Sequence, residues 1–245
     1  MDPVDGRFRP TRSGSRDAMA DLQADIAAAA TFEDRIEFTP TDVRGGEAVV
    51  AGIDQAFLDG RAVSAVVVLR GGEVIAREHA VTPLSMPYVP GLLAFREGEP
   101  IVAALEALDV EPDLLVLDGS GRIHYREAGI ATHVGVCFDI PAVGVAKGLL
   151  CGRPRRATDA LDEGERVPVE ADDSMTAPEG TVVGYAYQSR QYPNSTRINP
   201  LYVSPGHRLS AESALECVVA AGGEYKLPRP TRLADLYADE LKTEL

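Results

Sequence analysis

The sequence of 245 residues contains no tryptophan and only three cysteines, Cys137, Cys151 and Cys217. An odd, sparse set without Cys-x-x-Cys spacing argues against both a disulfide framework and a zinc site. We therefore expect the three thiols to behave as small buried hydrophobic side chains.

Long apolar runs are also missing. No stretch approaches the roughly 20 apolar residues that a membrane-spanning helix needs. The segment MDPVDGRFRPTRSGSRD at the N-terminus lacks the apolar core of a secretory signal. We expect a cytoplasmic protein with no membrane partner. The length suits one large domain, and neither a repeat nor a break in composition demands two.

Lysine is scarce, because Lys147, Lys226 and Lys242 are the only three, and the net charge is -14. Such a charge repels nucleic acid at low salt. In molar salt the Debye length falls to roughly 3 Å, so that repulsion is screened. An excess of acid with little lysine is typical of a salt-loaded cytoplasm, and we predict a halophilic source. The charge therefore does not exclude a nucleic-acid partner.

The apolar pattern alternates between helical and strand periods, which indicates an α/β protein with a mixed sheet flanked by helices. The predicted helices are Asp17–Phe32, Pro100–Leu108, Ala128–Phe138, Ala211–Ala221 and Thr231–Leu241. The predicted strands are Ala48–Phe57, Val63–Leu69, Glu73–Val81, Asp113–Asp118, Ala142–Val145, Val182–Gln188 and Pro200–Val203. The acidic, Pro/Gly-punctuated stretch Arg153–Gly180 predicts an irregular surface excursion.

Three acidic residues lie within or next to apolar elements, where an unpaired charge would be energetically costly. Asp54 interrupts an apolar strand, Glu97 precedes a predicted helix, and Asp118 ends a buried strand. A carboxylate at such a place is costly unless it is paired or metal-bound, and strand ends are where open α/β sheets place their sites. Carboxylate oxygens suit magnesium, which can assist phosphodiester hydrolysis. A strand-end Asp before glycine is, however, more often a turn former or a helix cap.

The four histidines carry different expectations. His79 sits at a polar position of a predicted strand, so we expect it at the surface. His133 lies in an apolar helix, so we expect a hydrogen-bonded core residue. His124 follows Asp118 closely enough to share a site with it. His207 lies in Ser-Pro-Gly-His before a predicted helix, where turn chemistry would explain it equally well.

The stretch Pro87–Glu97, PYVPGLLAFRE, closely resembles the signature of the endonuclease V family. Further matches follow in the family's order. They are Ala51-Gly-Ile-Asp54, Asp118-Gly-x-Gly-x-x-His124, Gly144-Val-Ala-Lys147, Val203-Ser-Pro-Gly-His207 and Leu227-Pro-x-Pro-Thr-Arg-Leu-Ala-Asp235. Together they span about residues 45–240, nearly the whole chain, so the sequence is identified as a member of that family.

The resemblance implies a single domain with a ribonuclease H-like mixed β-sheet flanked by helices. Residues 46–245 would form the catalytic domain, and residues 1–45 a helical extension packed on it. Asp54, Glu97 and Asp118 match the family's ligands for Mg²⁺, with Mn²⁺ as a substitute. His207 matches a fourth active-site residue near the metal, and Lys147 an active-site lysine suited to a phosphate charge.

The resemblance also implies a substrate site. A wedge that enters the duplex where the lesion leaves the stack corresponds to Pro87, Tyr88, Val89 and Pro90; without the flanking match, a rigid surface turn would be the better interpretation. The extruded base would enter a pocket whose backbone groups can read O6 and N1 of hypoxanthine. The residues implied for that pocket are Gly91, Leu93, Gly119, His124 and Gly129. His124 would shape the pocket or support the metal site.

The implied activity is hydrolysis of the second phosphodiester bond 3′ to a deaminated base, deoxyinosine above all, by a monomer acting on DNA. An inosine-specific endoribonuclease and a non-catalytic lesion binder are the alternatives. Retention of Asp54, Glu97, Asp118 and His207 argues against the binder. The sequence departs from the family's pattern at Phe57, Tyr125 and Glu127, where Tyr, Pro and Arg are common. Glu127 removes positive charge near the presumed DNA path.

Overall fold

The structure is a computed structural model that describes residues 1–10, 15–84 and 86–244. Within these residues the strands form one nine-stranded mixed sheet in the order β3-β2-β1-β4-β5-β9-β8-β7-β6. The strands are β1 (Val49–Leu58), β2 (Arg61–Arg70), β3 (Glu73–Pro83), β4 (Leu114–Asp118), β5 (Ala142–Ala146), β6 (Arg153–Pro154), β7 (Arg166–Glu170), β8 (Val182–Tyr187) and β9 (Leu201–His207). β1, β4 and β5 run parallel, and every other pairing is antiparallel. The mixed α/β fold predicted from the sequence is confirmed.

Helices cover both faces of the sheet. They are α1 (Arg16–Ala29), α2 (Pro40–Gly45), α3 (Leu93–Glu106), α4 (Ile130–Phe138), α5 (Ala211–Ala220) and α6 (Arg229–Glu244). Helices α3 and α4 pack on the face that carries Ile53 and Leu117, while α5 lies on the face that carries Val116 and Val145. Helix α6 packs on that second face over β1 and β2. Each face thus has its own apolar core, with the central strands buried between them.

Two sequence predictions about this fold are wrong. Helix α3 begins at Leu93, seven residues before the predicted start at Pro100, so Glu97 lies inside the helix. Pro100 suggests a helix start because proline is favoured in the first turn. The helix begins earlier because Phe95, in the turn before Pro100, is buried in the core. Arg153–Gly180 is irregular only in part, because Arg153–Pro154 and Arg166–Glu170 are strands. It adds β6 and β7 to the sheet and buries Val167 and Val169 in a small core of its own.

The segment before residue 46 packs on both faces of the sheet: Phe8 and Ile26 lie in the α3–α4 core, whereas Val43 of α2 packs in the core beneath α5. The buried ring of His133 shares a hydrogen bond between its Nε2 and the carbonyl oxygen of Phe8, 2.8 Å apart, as expected for a core histidine. The amide of Val4 donates to the carbonyl of Cys137 at 2.9 Å. The division of the chain at residue 45 stays a prediction.

All three cysteines are free and buried, as predicted. Burial raises the pKa of Cys137 to about 11 and that of Cys151 and Cys217 to about 12. Their thiols are therefore poorly nucleophilic at neutral pH. Within the described parts of the chain, none of the helices combines the length and apolar character that a membrane span requires.

Candidate active site

The carboxylates of Asp54 and Asp118 lie side by side at one edge of the sheet. Strands β1 and β4 run parallel with Ile53 opposite Leu117, so Asp54 and Asp118 are level with each other one residue further on. Side chains alternate between the two faces of a strand, so both carboxylates project to the face covered by α6. The sequence placed both acids at strand ends or interruptions, and the sheet register brings them together.

Asp54 is a buried carboxylate with unfavourable neighbours. It is 7% exposed, and its Oδ1 accepts a hydrogen bond from the amide of Gln55 at 2.8 Å. Burial, followed by the charge of Asp118, raises the pKa of Asp54 to about 8. No Lys, Arg or His in the described residues lies within salt-bridge distance of it. A cation bound beside Asp54 would therefore relieve both the cost of burial and the repulsion from Asp118.

Glu97 reaches the same edge from α3, on the opposite face of the sheet. It is 5% exposed, and Arg96 donates from Nη1 to its Oε1 at 2.5 Å. Burial raises the pKa of Glu97. The hydrogen bond and charge of Arg96 oppose this rise, and the charge of Asp118 adds to it. The guanidinium of Arg96 stacks on Phe57, 4.5 Å from the ring centroid. Phe57, one of the departures from the family pattern, thus positions the arginine that holds Glu97.

A fourth acid, Asp235, joins the group from α6. Helix α6 packs on β1 with the backbone of Pro230 against Gly52, two residues before Asp54. The charge of Asp235 contributes to the raised pKa values of both Asp54 and Lys147. Arg232, one helical turn earlier, contacts Asp235 at 2.5 Å. The sequence places Asp235 at the end of a motif that matches the family, but assigns it no role. Its position on a helix remote in sequence hid its proximity to Asp54.

Lys147 follows β5 and completes the group. Its Nζ donates to Oδ2 of Asp118 at 2.6 Å. Partial burial opposes the ammonium charge, but Asp118, Asp54 and Asp235 outweigh that cost and raise the pKa of Lys147. A lysine that stays protonated beside a group of acids is suited to meet an anionic oxygen of a substrate.

The donor set fits a hard divalent cation. Asp54, Asp118 and Glu97 offer carboxylate oxygens, the ligand type that Mg²⁺ and Mn²⁺ prefer. As they stand, no three His, Cys, Asp or Glu side chains of the described residues converge closely enough to hold an ion. Lys147 occupies one oxygen of Asp118 and Arg96 one of Glu97. The buried Asp54 lacks such a cation, which makes it the residue that an ion would stabilise most.

The structure does not bring His207 to this group, and the expectation that it lies beside the metal ligands is wrong. His207 ends β9 opposite Ala142, the first residue of β5, whereas Asp118 pairs with Val145 at the other end. Three residues of strand separate the two levels, roughly 10 Å. The ring is held by the amide of Thr31 at Nδ1, 3.2 Å away, and by Asp139 at Nε2, 3.0 Å away. Burial lowers the pKa of His207. It joins the N-terminal segment to the sheet.

A cavity of about 330 Å³ opens next to the acid group. All five residues that the resemblance implies for the base pocket line it, and so does Tyr88 of the wedge. These residues are Gly91, Leu93, Gly119, His124 and Gly129. The volume is at the low end for ligand pockets and is suited to one flat base rather than a larger molecule. Gly119 directly follows Asp118, so one β-strand end serves both the cavity and the acids.

His124 forms part of the wall of this cavity, and both of its ring nitrogens bond backbone groups rather than the acid group. Its Nδ1 accepts from the amide of Arg126 at 3.1 Å, so Nε2 carries the proton and donates to the carbonyl of Gly91 at 3.0 Å. Burial lowers the pKa of His124 to about 4, so the ring is neutral at physiological pH. Of the two roles expected for His124, the structure supports pocket shaping.

Gln23 of α1 is a pocket residue that the sequence reasoning missed. It is 1% exposed, and its Nε2 donates to the same carbonyl of Gly91 at 2.7 Å. The signal was present: Gln23 shares a helical face with Met19 and Ile26, where an apolar residue is expected. The other missed lining residues are Ala94, Ser120, Ala128, Ile130, Ala146, Gly148, Leu149 and Leu150.

The predicted wedge is exposed at the mouth of the cavity. Tyr88 is 61% exposed, and Pro87 and Pro90 are also exposed. The amide of Leu92 donates to the carbonyl of Val89 at 3.0 Å, which closes the turn into α3. Ser85, just before this segment, lies outside the described residues. An exposed tyrosine held by a closed turn is accessible to a base leaving a duplex.

The group of acids with Lys147 is suited to bind and hydrolyse an anionic phosphate ester, and the adjoining cavity has the size of a nucleic-acid base. Together they place the chain in the class of α/β nucleases. A profile of the Endonuclease V family matches residues 30–236. The Endonuclease V of Natronomonas pharaonis is 73% identical over 242 residues, which cover 99% of this chain and 98% of that protein. The chain therefore belongs to the Endonuclease V family, and it is an endonuclease.

Solved structures agree with this assignment. The catalytic domain of human Endonuclease V matches with a TM-score of 0.77 at 33% identity, covering 93% of this chain and 96% of that one. A Ciona intestinalis Endonuclease V was crystallised with a 24mer DNA containing an inosine followed by a ribo-adenosine. It matches with a TM-score of 0.76 at 26% identity, covering 94% of this chain and 98% of that one.

Proposed function

We propose that this endonuclease recognises deaminated bases in DNA, deoxyinosine above all, and hydrolyses the second phosphodiester bond 3′ to the lesion, which initiates repair. The observation that carries the proposal is the adjacency of Asp118 and Gly119. The first belongs to the acid group and the second lines the base-sized cavity. When a base occupies the cavity, the DNA backbone attached to it lies next to the carboxylates. The inosine-containing DNA bound by the Ciona relative supports the choice of lesion.

We further propose that Asp54, Asp118 and Glu97 hold Mg²⁺, with Mn²⁺ as a substitute. When bound, the ion supplies activation of water and charge stabilisation at the leaving oxygen. Asp235 is near enough to act as a fourth acid that orients water or metal-bound groups. Lys147 can exchange its bond to Asp118 for a phosphate oxygen, placing a positive charge where negative charge develops.

The chain's own residues would also control the base. Tyr88 can stack where the extruded base leaves the duplex, because every base offers a flat face to an aromatic ring. The neutral His124 and the buried Gln23 fix the carbonyl of Gly91 at the cavity wall. A wall held from two sides keeps its shape when a base enters, which favours selection by shape and backbone hydrogen bonds.

Cleavage of matched oligonucleotides tests this proposal. One strand carries a single deoxyinosine and its control carries deoxyadenosine, each incubated with Mg²⁺, with Mn²⁺ and with EDTA in high salt. We expect one nick with 3′-hydroxyl and 5′-phosphate ends in the inosine strand when either metal is present. An Asp118→Asn variant should bind the inosine strand without cutting it. Equal nicking of the control strand, or full activity in EDTA, would overturn the proposal.

An inosine-specific endoribonuclease is the second candidate. The DNA in complex with the Ciona relative contains a ribo-adenosine directly after the inosine, and this 2′-hydroxyl is the observation that supports the second candidate. The 2′-hydroxyl is what distinguishes RNA from DNA at a given site. Matched RNA strands in the same gel decide between the two, because a DNA enzyme would cut the deoxyinosine strand faster.

We also propose that the protein acts as a monomer in a salt-rich cytoplasm. The net charge of -14 with three lysines supports the salt adaptation. Mass measurement in solution at high salt tests the monomer, and a dimer at working concentrations would contradict it.

A further inference from the structure

A groove distinct from the base cavity adjoins the acid group at Lys147. It has a volume of about 400 Å³ and is lined by Lys147, Tyr192, Tyr225, Lys226 and Arg232, among others. We name it the lysine groove. Ala146 and Gly148, on either side of Lys147, line the base cavity instead. The short segment 146–148 therefore separates the two spaces, and Lys147 turns its ammonium towards Asp118 between them.

The lysine groove concentrates positive charge in a strongly acidic protein. Two of the three lysines of the chain, Lys147 and Lys226, line it. Burial lowers the pKa of the half-buried Lys226, and the charges of Arg197 and Lys147 lower it further. Neither Lys226 nor Arg197 has a carboxylate within salt-bridge distance among residues 1–10, 15–84 and 86–244. Cations that repel one another without an acidic partner are suited to an anion from outside.

Two exposed aromatic rings accompany this charge. Tyr192 is 46% exposed and Tyr225 is 56% exposed, and both line the groove. The guanidinium of Arg232 lies 5.2 Å from the ring centroid of Tyr225. Large exposed aromatic side chains in a basic groove are the usual combination for single-stranded nucleic acid, whose bases stack on the rings while phosphates meet the cations.

The groove is also formed in advance. The amide of Lys226 donates to Oη of Tyr192 at 3.2 Å, and Oγ of Ser189 donates to the carbonyl of Lys226 at 2.6 Å. The buried Gln188 accepts from the amide of Asn199 at 3.1 Å and so closes the loop that carries Tyr192. A preformed surface loses little conformational entropy on binding.

We infer that the lysine groove binds the strand on the 3′ side of the scissile phosphate, with bases stacked on Tyr192 and Tyr225 and a phosphate at Lys226. This assignment rests on the proposed function, because the base cavity then holds the lesion and the acid group holds the phosphate beyond it. The next nucleotides towards the 3′ end leave on the far side of Lys147. The groove thus accounts for how a protein of charge -14 retains a polyanion at its active site.

Substrate length on the 3′ side provides the test. Two inosine strands share the same 5′ part, and one ends just past the cut while the other continues for several nucleotides. The wild-type protein should cut the longer strand with a kcat/KM roughly tenfold higher, the scale of one stacked base. Lys226→Gln and Tyr192→Leu should lose that preference. Lys242→Gln is the matched control, since Lys242 pairs with Asp239 on α6 and should keep it.

Tyr192→Phe retains the ring, and we expect it to keep most of the preference, which separates stacking from the hydrogen bond to Lys226. An equal rate on both strands in the wild-type protein, or an undiminished preference in Lys226→Gln, would overturn the inference. Thermal unfolding of each variant confirms that it is folded.

A binding measurement keeps this inference separate from the proposed function. Fluorescence anisotropy of an inosine-free single strand on the EDTA-treated full chain requires neither cleavage nor the lesion. The wild-type protein and Lys242→Gln should bind alike, and Lys226→Gln and Tyr192→Leu more weakly by roughly tenfold. If inosine strands are not cut but this difference is seen, the groove stands and the proposed function fails. Polyglutamate that competes as well as the oligonucleotide would show a general anion site and overturn the inference.

Discussion

The backbone of Gly52 on β1 lies directly against the backbone of Pro230 in the first turn of α6. A Cβ on Gly52 would overlap both the carbonyl carbon and the carbonyl oxygen of Pro230. This close approach seats α6 on the strand that carries Asp54 and brings Asp235 to the acid group. The absence of one methyl group therefore determines whether the fourth acid reaches the site.

Gly52→Ala should lower both stability and activity. The added methyl group must push α6 off β1, and overpacking of this kind costs about 1–3 kcal/mol. We expect a lower urea midpoint of unfolding and a slower single-turnover cleavage rate, because Asp235 moves with the helix. Gly6→Ala is the control, since its Cβ would meet nothing within 4 Å. Wild-type activity in a folded Gly52→Ala protein would contradict the role assigned to this contact.

Asp54→Asn should stabilise the metal-free protein at neutral pH while abolishing cleavage. Burial and the charge of Asp118 raise the pKa of Asp54 to about 8, from an ordinary value of 3.8 for an aspartate. The folded state therefore binds a proton more tightly than the unfolded state, and stability falls as pH rises from about 4 to 8. Without the ionisable group this fall is smaller. We expect the Tm in EDTA at pH 8 to rise by about 3 °C, equivalent to about 1 kcal/mol.

The same two proteins report on the metal. Added Mg²⁺ should raise the Tm of the wild-type protein, because a ligand that binds only the folded state stabilises it. It should raise the Tm of Asp54→Asn much less. An equal rise in both proteins would remove Asp54 from the metal site.

Asp235→Asn and His207→Gln should separate catalysis from stability. Asp235 lies near Asp54 and Lys147, so its loss should slow single-turnover cleavage by at least about a hundredfold, a scale typical of a positioned catalytic group. His207 instead bonds the amide of Thr31 and the carboxylate of Asp139. Its loss should cost about 1 kcal/mol of stability and leave the cleavage rate of the folded protein nearly unchanged. The reverse pattern would restore His207 to the active site.

Tyr88→Ala should weaken discrimination for inosine more than it slows the chemical step. Stacking of a base on an aromatic ring contributes about 1–3 kcal/mol, and Tyr88 is free to supply it. The ratio of affinities for inosine and undamaged duplexes should fall by roughly tenfold, with a smaller change in the rate at saturating protein. Tyr88→Phe keeps the ring and should behave as wild type. An unchanged affinity ratio in Tyr88→Ala would refute the wedge.

Binding should depend only weakly on salt. A protein that neutralises Z phosphates loses affinity with a log–log slope near -0.9Z for B-DNA, and a net charge of -14 with only three lysines predicts few phosphate contacts. The dissociation constant for an inosine duplex should therefore change little across a wide potassium chloride series. Cleavage at fixed Mg²⁺ should persist well above physiological salt. A collapse of affinity as steep as that of a basic DNA-binding protein would contradict the salt adaptation.

The sequence by itself determined the α/β class, most helices and strands, the burial of Cys137, Cys151 and Cys217, and the family. These features depend on local periodicity and on contiguous motifs, which remain readable without long-range contacts. The prediction for α3 was wrong at its start, and that for Arg153–Gly180 was wrong where β6 and β7 form. In both segments, tertiary burial overrides what proline and glycine suggest locally.

Only the tertiary structure decided which residues meet. Asp54 and Asp118 share an edge because β1 and β4 pair in parallel register, which no local pattern records. Strand β9 begins beside the end of β5 that leads to Lys147, with Tyr202 opposite Ala146. Because β9 runs antiparallel to β5, its last residue, His207, lies at the other end of the sheet. Asp235 reaches Asp54 through the contact of α6 with Gly52, across a sequence separation that periodicity cannot bridge. A motif specifies its own residues, but strand direction and helix seating specify what lies opposite them.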